Sequence, residues 1–243
     1  MNKKKIFSLA LVALLICTIS FGTLAWFNAT DEVTNTFKVA DSDGNGTPNF
    51  SIDVNETPNT GFPGQRPEGD MPSSGTHDGG YLYENILPGS QLNKDAVVRN
   101  TGDYQQWVRV HLIFSDGNVW RNAISKAATA AQKDEMQFVV EDLFTELFQN
   151  RSRTIENNLD DRDDENLVFT LYYRDPLEAG HQFKVLDCIE IPGILVQDDM
   201  DFGKDGFSLK IKAEAVQVKN LNATNAFDAF KEVGWEVGSE YGE

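Results

Sequence analysis

The sequence predicts a mostly β protein in which antiparallel strands form a sandwich and one amphipathic helix is inserted between strands. Two long segments, Trp107–Phe114 and Phe207–Val218, alternate apolar and polar residues, as strands with one buried face do. Turn sequences rich in Gly, Pro, Asn and Asp separate these and many shorter segments of the same kind. Strands do not alternate regularly with helices, so a parallel sheet is not expected.

Residues 1–25 have the pattern of a secretory signal peptide. Three lysines precede an uncharged run, and the small residue Ala25 ends the segment. We therefore expect cleavage between Ala25 and Trp26, export to the extracellular matrix or cell surface, and no membrane association after cleavage. An uncut membrane anchor is the alternative, because the uncharged run from Ile6 to Thr30 is long enough to span a bilayer.

Residues 26–40 predict a strand at the start of the mature chain. Val33, Phe37 and Val39 fall on odd positions with mostly polar residues between them. This segment is either an ordinary first strand of its own sheet or a strand available to another molecule.

The next residues have sequences typical of turns and loops. Asp41, Asp43 and Asn45 stand at alternate positions before Gly46, as in the first half of a calcium-binding loop. The twelfth position of such a loop is Ile52 rather than a glutamate, so a plain turn is the alternative to a calcium site. Residues 55–80 are rich in Pro, Gly, Ser and Thr and predict a long exposed loop.

The remaining residues up to 243 predict one sandwich domain with a helical insertion. Apolar residues of the insertion, residues 122–150, repeat at intervals of three and four and predict one helix with an apolar stripe. A short helix over Asn225–Val233 is expected to close the domain. The predicted strands are Asn49–Val54, Tyr81–Leu87, Asp95–Asn100, Trp107–Phe114, Leu167–Tyr173, Gln182–Ile191 and Phe207–Val218.

Charge and cysteine content limit the possible functions. Cleavage would remove three lysines and no acids, which takes the formal net charge from −17 to −20. Such a chain repels phosphates, so nucleic-acid binding is not expected. Cleavage would also remove Cys17 and leave Cys188, which cannot form an internal disulfide and is expected to be a small apolar residue on a strand.

The sequence contains no recognisable catalytic constellation. Its histidines, His77, His111 and His181, are scattered and do not form the H-E-x-x-H pattern that places two zinc ligands on one helix face. We interpret them as ordinary surface residues. The sequence also lacks the G-x-S-x-G motif of a nucleophile elbow.

Several stretches, in order, resemble the TasA/camelysin family of Gram-positive bacteria, whose signal peptides are cut by the dedicated peptidase SipW. No single stretch is specific, but together they cover most of the mature chain. Cys188 stands where the family pattern usually has Ser, so no role for the thiol carries over. The stretches are Gly22–Phe27, Glu32–Phe37, Ile86–Gly89, Lys94-Asp95, Val98–Asp103, Trp107–Val110, Leu186–Pro192 and Lys212–Gln217.

The resemblance implies a jelly-roll sandwich that is secreted into a biofilm matrix, where some members polymerise into fibres. In those members the new N-terminal segment acts as a donor strand for the next subunit, and the matching segment here is about Trp26–Val39. Residues 55–80 and the helical region after Trp120 are insertions relative to the family pattern.

Three functions are therefore open. The first is a structural subunit that binds copies of itself head-to-tail, together with other matrix proteins, through its N-terminal strand. The second is a secreted metallopeptidase, supported only by the peptidase label of the camelysin branch. The third is a monomeric surface adhesin or binding module that uses the 55–80 loop.

Overall fold

The computed structural model describes residues 28–32, 35–36, 50–56, 74–77, 80–83, 86–145, 147, 152–157, 159, 165–196, 199 and 207–234. Within them the protein is mostly β, as predicted, with two main antiparallel sheets and three α-helices. The strands are β1 (Asn28–Glu32), β2 (Asn35–Thr36), β3 (Ile52–Glu56), β4 (Ser74–His77), β5 (Gly80–Leu82), β6 (Gln91–Asn100), β7 (Gln106–Ser115), β8 (Phe144–Thr145), β9 (Ser152–Asn157), β10 (Asn166–Tyr173), β11 (Gln182–Glu190) and β12 (Leu209–Gln217).

The two main sheets pack face to face. One has six strands in the order β2-β1-β12-β7-β10-β9, the other has four in the order β3-β6-β11-β8, and β4 and β5 form a separate ribbon. One continuous core lies between the sheets and includes Val110, Phe169 and Ala213 from the first and Val98 and Ile189 from the second. We call the core side of each sheet its inner face and the opposite side its outer face.

Strand β7 shows how the residue pattern determines burial. Val108, Val110 and Leu112 point into the core, as the alternation predicts. Residues between them point to the outer face, and the structure shows that this face is also covered. The interpretation of His111 as an ordinary surface residue is therefore wrong, because its exposed fraction is 2%.

The helical insertion differs from the single helix predicted over 122–150. Helix α1 spans Gly117–Ala131, and a second segment consists of α2 (Glu135–Phe138) followed by one π-helical turn at Val139–Leu143. Gln132 ends α1 in the left-handed conformation, and the Asp134 side chain caps α2 by accepting a hydrogen bond from the Gln137 backbone N–H. Phe144 then turns extended and pairs with Ile189 of β11, because a partner strand competes successfully with helix propensity there.

Gly117 allows α1 to start directly after β7. A Cβ atom at this position would lie 2.5 Å from the backbone carbonyl carbon of Asn166, at the start of β10. The preceding residue, Asp116, adopts a left-handed conformation with φ 58°. The insertion therefore begins five residues earlier than the apolar pattern indicates.

Some of the remaining predictions are confirmed and one is corrected. Helix α3 (Ala226–Glu232) is confirmed, with Asn225 as its N-cap. Cys188 is confirmed as a buried residue on a strand. The predicted loop 55–80 instead includes the end of β3 and the strand β4. No helix within the described ranges is long and apolar enough to cross a membrane.

Candidate assembly edge and polar network

Of the strands that the structure describes, the first lies beside the last. β1 pairs antiparallel with β12 in a register that sets Asn28 opposite Val216 and Glu32 opposite Lys212. β2 pairs antiparallel with β1, with Glu32 opposite Asn35, and is an edge strand of the six-stranded sheet. Residues 28–32 and 35–36 therefore form two short strands, where the alternation predicts one continuous strand.

An edge strand of the second sheet lies at the same corner of the sandwich. β3 is the terminal strand of that sheet, and Cα atoms of β1 come within 8 Å of those of β3. Phe50, Ile52 and Val54 are buried there. β1 therefore closes a corner of the core, and without it one side of β12 would present unpaired main-chain N–H and C=O groups.

A buried ion pair ties β3 to its neighbour at this corner. Nζ of Lys94 on β6 lies 2.5 Å from Oε2 of Glu56, and both side chains are almost completely buried. Burial of two charges is costly unless they pair closely, so the two strands depend on each other's side chains at this point.

Beside the corner, the outer face of the six-stranded sheet carries a network of buried polar side chains. Glu214 on β12 stands opposite Arg109 on β7, and His111 on β7 stands opposite Thr170 on β10. Oε2 of Glu214 lies 2.6 Å from Nε of Arg109 and 3.0 Å from Nε2 of His111, and Nδ1 of His111 lies 2.9 Å from Oγ1 of Thr170. We call Arg109, His111, Thr170 and Glu214 the covered network.

The charge state of the covered network follows from burial and hydrogen bonding. Burial lowers the pKa of His111 below its usual 6.5, against the opposing effect of the Glu214 hydrogen bond, so the ring is neutral at pH 7. Burial alone would raise the pKa of Glu214, but the hydrogen bond from His111 and the charges of Arg109 and Lys212 hold it at about 2. Because a carboxylate only accepts, Nε2–H of His111 donates to Glu214 and the Thr170 hydroxyl donates to Nδ1.

Helix α3 covers this part of the outer face. Its Ala226, Ala229 and Phe230 pack in one buried cluster with Trp107 and Tyr172 of the sheet. The guanidinium carbon of Arg109 also lies 4.4 Å from the centroid of the Phe230 ring, a favourable cation–π distance.

The order hydroxyl, imidazole, carboxylate in the covered network matches that of a catalytic triad, but its setting does not suit catalysis. Thr170 and His111 are almost completely buried. A nucleophile must reach the carbonyl carbon of a substrate, and the Thr170 hydroxyl lies on a sheet face from which solvent is almost completely excluded. We interpret the network as a structural element that joins β12, β7 and β10.

A second charged group lies on the outer face of the four-stranded sheet. Nζ of Lys184 on β11 contacts Asp187 on the same strand and lies 3.5 Å from Oδ1 of Asp95 on β6. Burial raises the pKa of Asp95 although Lys184 opposes the shift. The Lys184 side chain is 40% exposed, and we call Asp95, Lys184 and Asp187 the open cluster.

The predicted site residues fall mostly outside the described ranges. His77 lies on β4, and His181 is an exposed residue directly before β11. Among the described residues no three His, Cys, Asp or Glu side chains converge as a metal-binding group. The cleavage residues, the apolar positions of the predicted donor strand and the calcium candidates all lie outside the described residues: Ala25, Trp26, Val33, Phe37, Val39, Asp41, Asp43 and Asn45.

The sequence interpretation missed Arg109, Thr170 and Glu214. Their alternation with apolar residues predicts an outer face but cannot show whether that face is covered. The usable signal is the apolar side of α3, since Ala226, Ala229 and Phe230 need a surface to pack on.

Comparisons with protein-family models, with curated proteins and with solved structures gave no match to this chain.

Proposed function

We propose that this protein is a secreted structural subunit of an extracellular matrix or surface fibre, assembled head-to-tail through its N-terminal strand. The observation that carries this proposal is the position of β1. This strand, the first one that the structure describes, closes the corner of the sandwich and is held on β12 by main-chain pairing. The same pairing can be made by the β1 strand of a neighbouring copy, because main-chain hydrogen bonds do not depend on which chain supplies the strand.

The connection after β2 is long enough for such an exchange. Residues 37–49 separate β2 from Phe50, next to β3. Fully extended, a segment of this length spans up to about 45 Å, which exceeds the length of the sandwich strands. A copy that gives β1 away and receives β1 from the next makes a heterologous contact that need not close, and a filament results.

The finer fold assignment belongs to the same proposal. We assign the sandwich to the jelly-roll group, as the TasA/camelysin resemblance implies. Its support is that the chain crosses repeatedly between the two sheets, from β2 to β3, β6 to β7, β7 to β8, β8 to β9, β10 to β11 and β11 to β12. The neighbouring positions of β3 and β6 are a local departure from a regular jelly roll.

The proposal includes location and partners. The signal-like residues 1–25 support export, and the formal charge of −20 after cleavage disfavours nucleic acid as a partner. Copies of the same chain are the main partner, with other matrix proteins as additional ones.

Filament imaging of the mature protein tests this function. A chain that begins at Trp26 is expected to form filaments visible by negative-stain electron microscopy, and a chain that begins at Phe37, without β1 and β2, is expected to form none. Because this deletion uncovers the corner core, the truncated chain is also mixed with a synthetic peptide of residues 26–36. We expect the peptide to bind and give a folded monomer with a native circular dichroism spectrum.

Two outcomes would refute the proposal. Filaments of unchanged form from the truncated chain would exclude β1 as the donor. A mature chain that stays monomeric at every salt and calcium concentration would exclude the fibre and favour the adhesin.

A further inference from the structure

Three exposed apolar side chains lie on two joined loops at one end of the sandwich. Leu87, Ile194 and Val196 are 60%, 53% and 56% exposed, the highest values among the large apolar residues that the structure describes. We call them the end patch. Large apolar side chains exposed on neighbouring loops at one end of a domain favour contact with another molecule.

The loops that carry the end patch are joined to each other. The backbone N–H of Gly89 donates to the carbonyl of Ile191, and the N–H of Ile191 donates to the carbonyl of Ser90, both at 2.8 Å. The Leu87 turn is closed by a further bond from the Ser90 N–H to the Leu87 carbonyl. The loops of the end patch are therefore held in place by main-chain hydrogen bonds, which lowers the entropy cost of binding.

The end patch and the start of β1 lie at opposite ends of the sandwich. The end patch adjoins Gln91 and Glu190, the paired residues where β6 begins and β11 ends. Asn28 stands opposite Val216, which pairs with Trp107 at the beginning of β7. Since β6 and β7 run the length of the sandwich in opposite directions, the two places are about 30 Å apart at the rise of a ten-residue strand.

The residues that precede β1 cannot reach the end patch of their own subunit. In a chain cut after Ala25 only Trp26 and Phe27 come before Asn28, and two extended residues span about 7 Å. In a head-to-tail row, however, the end that carries Trp26 and Phe27 faces the end patch of the next copy.

Resting on the proposed fibre function, we infer that the end patch is the docking site for the N-terminal aromatic pair, Trp26 and Phe27, of another copy of this chain. Two aromatic side chains match three aliphatic ones in chemistry. Cleavage also gives Trp26 a cationic amino group, and Glu190 at the border of the end patch supplies a carboxylate. This complementarity opposes the general repulsion between chains of charge −20.

The assignment holds whether or not β1 is exchanged. With β1 in its own sheet, the aromatic pair leaves from its own subunit. If β1 is donated to a neighbour in the same register, the pair of Trp26 and Phe27 extends from the same end of the acceptor subunit instead. In both arrangements it meets the end patch of the following subunit.

Crosslinking between two single-cysteine proteins tests the inference. One chain begins at residue 25 and carries Ala25→Cys, the other begins at Trp26 and carries Gln91→Cys, and both carry Cys188→Ala. These changes leave the side chains of the aromatic pair and the three side chains of the end patch in place, and they move the chain's amino group by one residue, to position 25. On mixing under mild oxidation we expect the heterodimer to form at least about tenfold more than with a partner carrying Val140→Cys in place of Gln91→Cys, because docking raises the effective thiol concentration.

A second pair of variants identifies the patch itself. Leu87→Ser, Ile194→Ser and Val196→Ser together, added to the Gln91→Cys chain, should reduce heterodimer to the control level. Val140→Ser, at a 39% exposed apolar residue elsewhere, should leave it unchanged, and circular dichroism checks that both remain folded. Heterodimer that survives the triple change, or that never exceeds the Val140→Cys control, overturns the inference. Crosslinking without filaments would support the docking site and refute the fibre function. Filaments without crosslinking would support the fibre function and refute the docking site.

Discussion

The covered network and the open cluster use similar side chains on the two outer faces of the sandwich, yet differ in the exposure of their cations and in the balance of charge. In the covered network, Glu214 has Arg109, His111 and Lys212 within 3.2 Å, and its pKa falls to about 2. In the open cluster, Lys184 is the one cation near Asp95 among the described residues, at 3.5 Å, and it is shared with Asp187. Burial raises the pKa of Asp95. Helix α3 keeps water away from the covered network, so a cation that is removed there is not replaced by solvent. In the open cluster, water can take the place of the exposed Lys184 ammonium group.

Removing the central carboxylate should have the largest effect. Glu214→Gln keeps the size of the side chain but removes the carboxylate that pairs with the buried guanidinium of Arg109, and we expect a loss of about 3–5 kcal/mol in the free energy of unfolding. Urea denaturation at pH 7 measures it. Glu190→Gln, a half-buried site on β11, is the control, and equal losses in the two variants would contradict the distinction.

Removing the cover should cost nearly as much. Phe230→Ala deletes a completely buried ring and the cation–π contact to Arg109, and a loss of about 3–4 kcal/mol is expected. Phe227→Ala on the same helix, where the ring is only partly buried, should cost clearly less in the same urea titration. If both cost under about 1 kcal/mol, α3 does not support the face.

Acid should weaken the covered network in two steps. His111 has a lower pKa folded than its unfolded 6.5, so the unfolded chain binds more protons and stability falls as the pH drops below about 6.5, by up to about 1.4 kcal/mol per pH unit. The pKa of Glu214 drops from 4.5 to about 2 on folding, so its contribution is lost between those values. Comparing the unfolding free energy at pH 7 and pH 5 in wild type and His111→Gln isolates the first step. The variant should lose less between the two pH values, and an identical loss would contradict the assignment to His111.

Breaking the open cluster should have the smallest effect. Lys184→Ala removes a 40% exposed partner, and we expect a change of at most about 1 kcal/mol that shrinks further in high salt. A loss comparable to that of Glu214→Gln would show that exposure does not separate the two groups.

Strong local patterns predicted much of this fold. The alternation in β7 and β12 and the short helix over Asn225–Val233 depend on neighbouring residues, and both are found in the structure. The break at Gln132 and the pairing of Phe144 with Ile189 depend on a distant strand, so local periodicity overestimates the helix. Burial of Arg109 and His111 depends on a helix more than a hundred residues further on, which no local pattern encodes.

A paired-cysteine experiment tests the central claim, that β1 completes the sheet of a neighbour in the fibre. Ala29 and Ala215 stand directly opposite each other, and opposed residues on antiparallel strands have Cα atoms about 4.5–5.5 Å apart, within the range of a disulfide. The mature chain with Ala29→Cys, Ala215→Cys and Cys188→Ala is assembled, oxidised and run on a non-reducing denaturing gel. Exchange predicts a ladder of covalent oligomers, and filaments that yield only internally crosslinked monomers would contradict it.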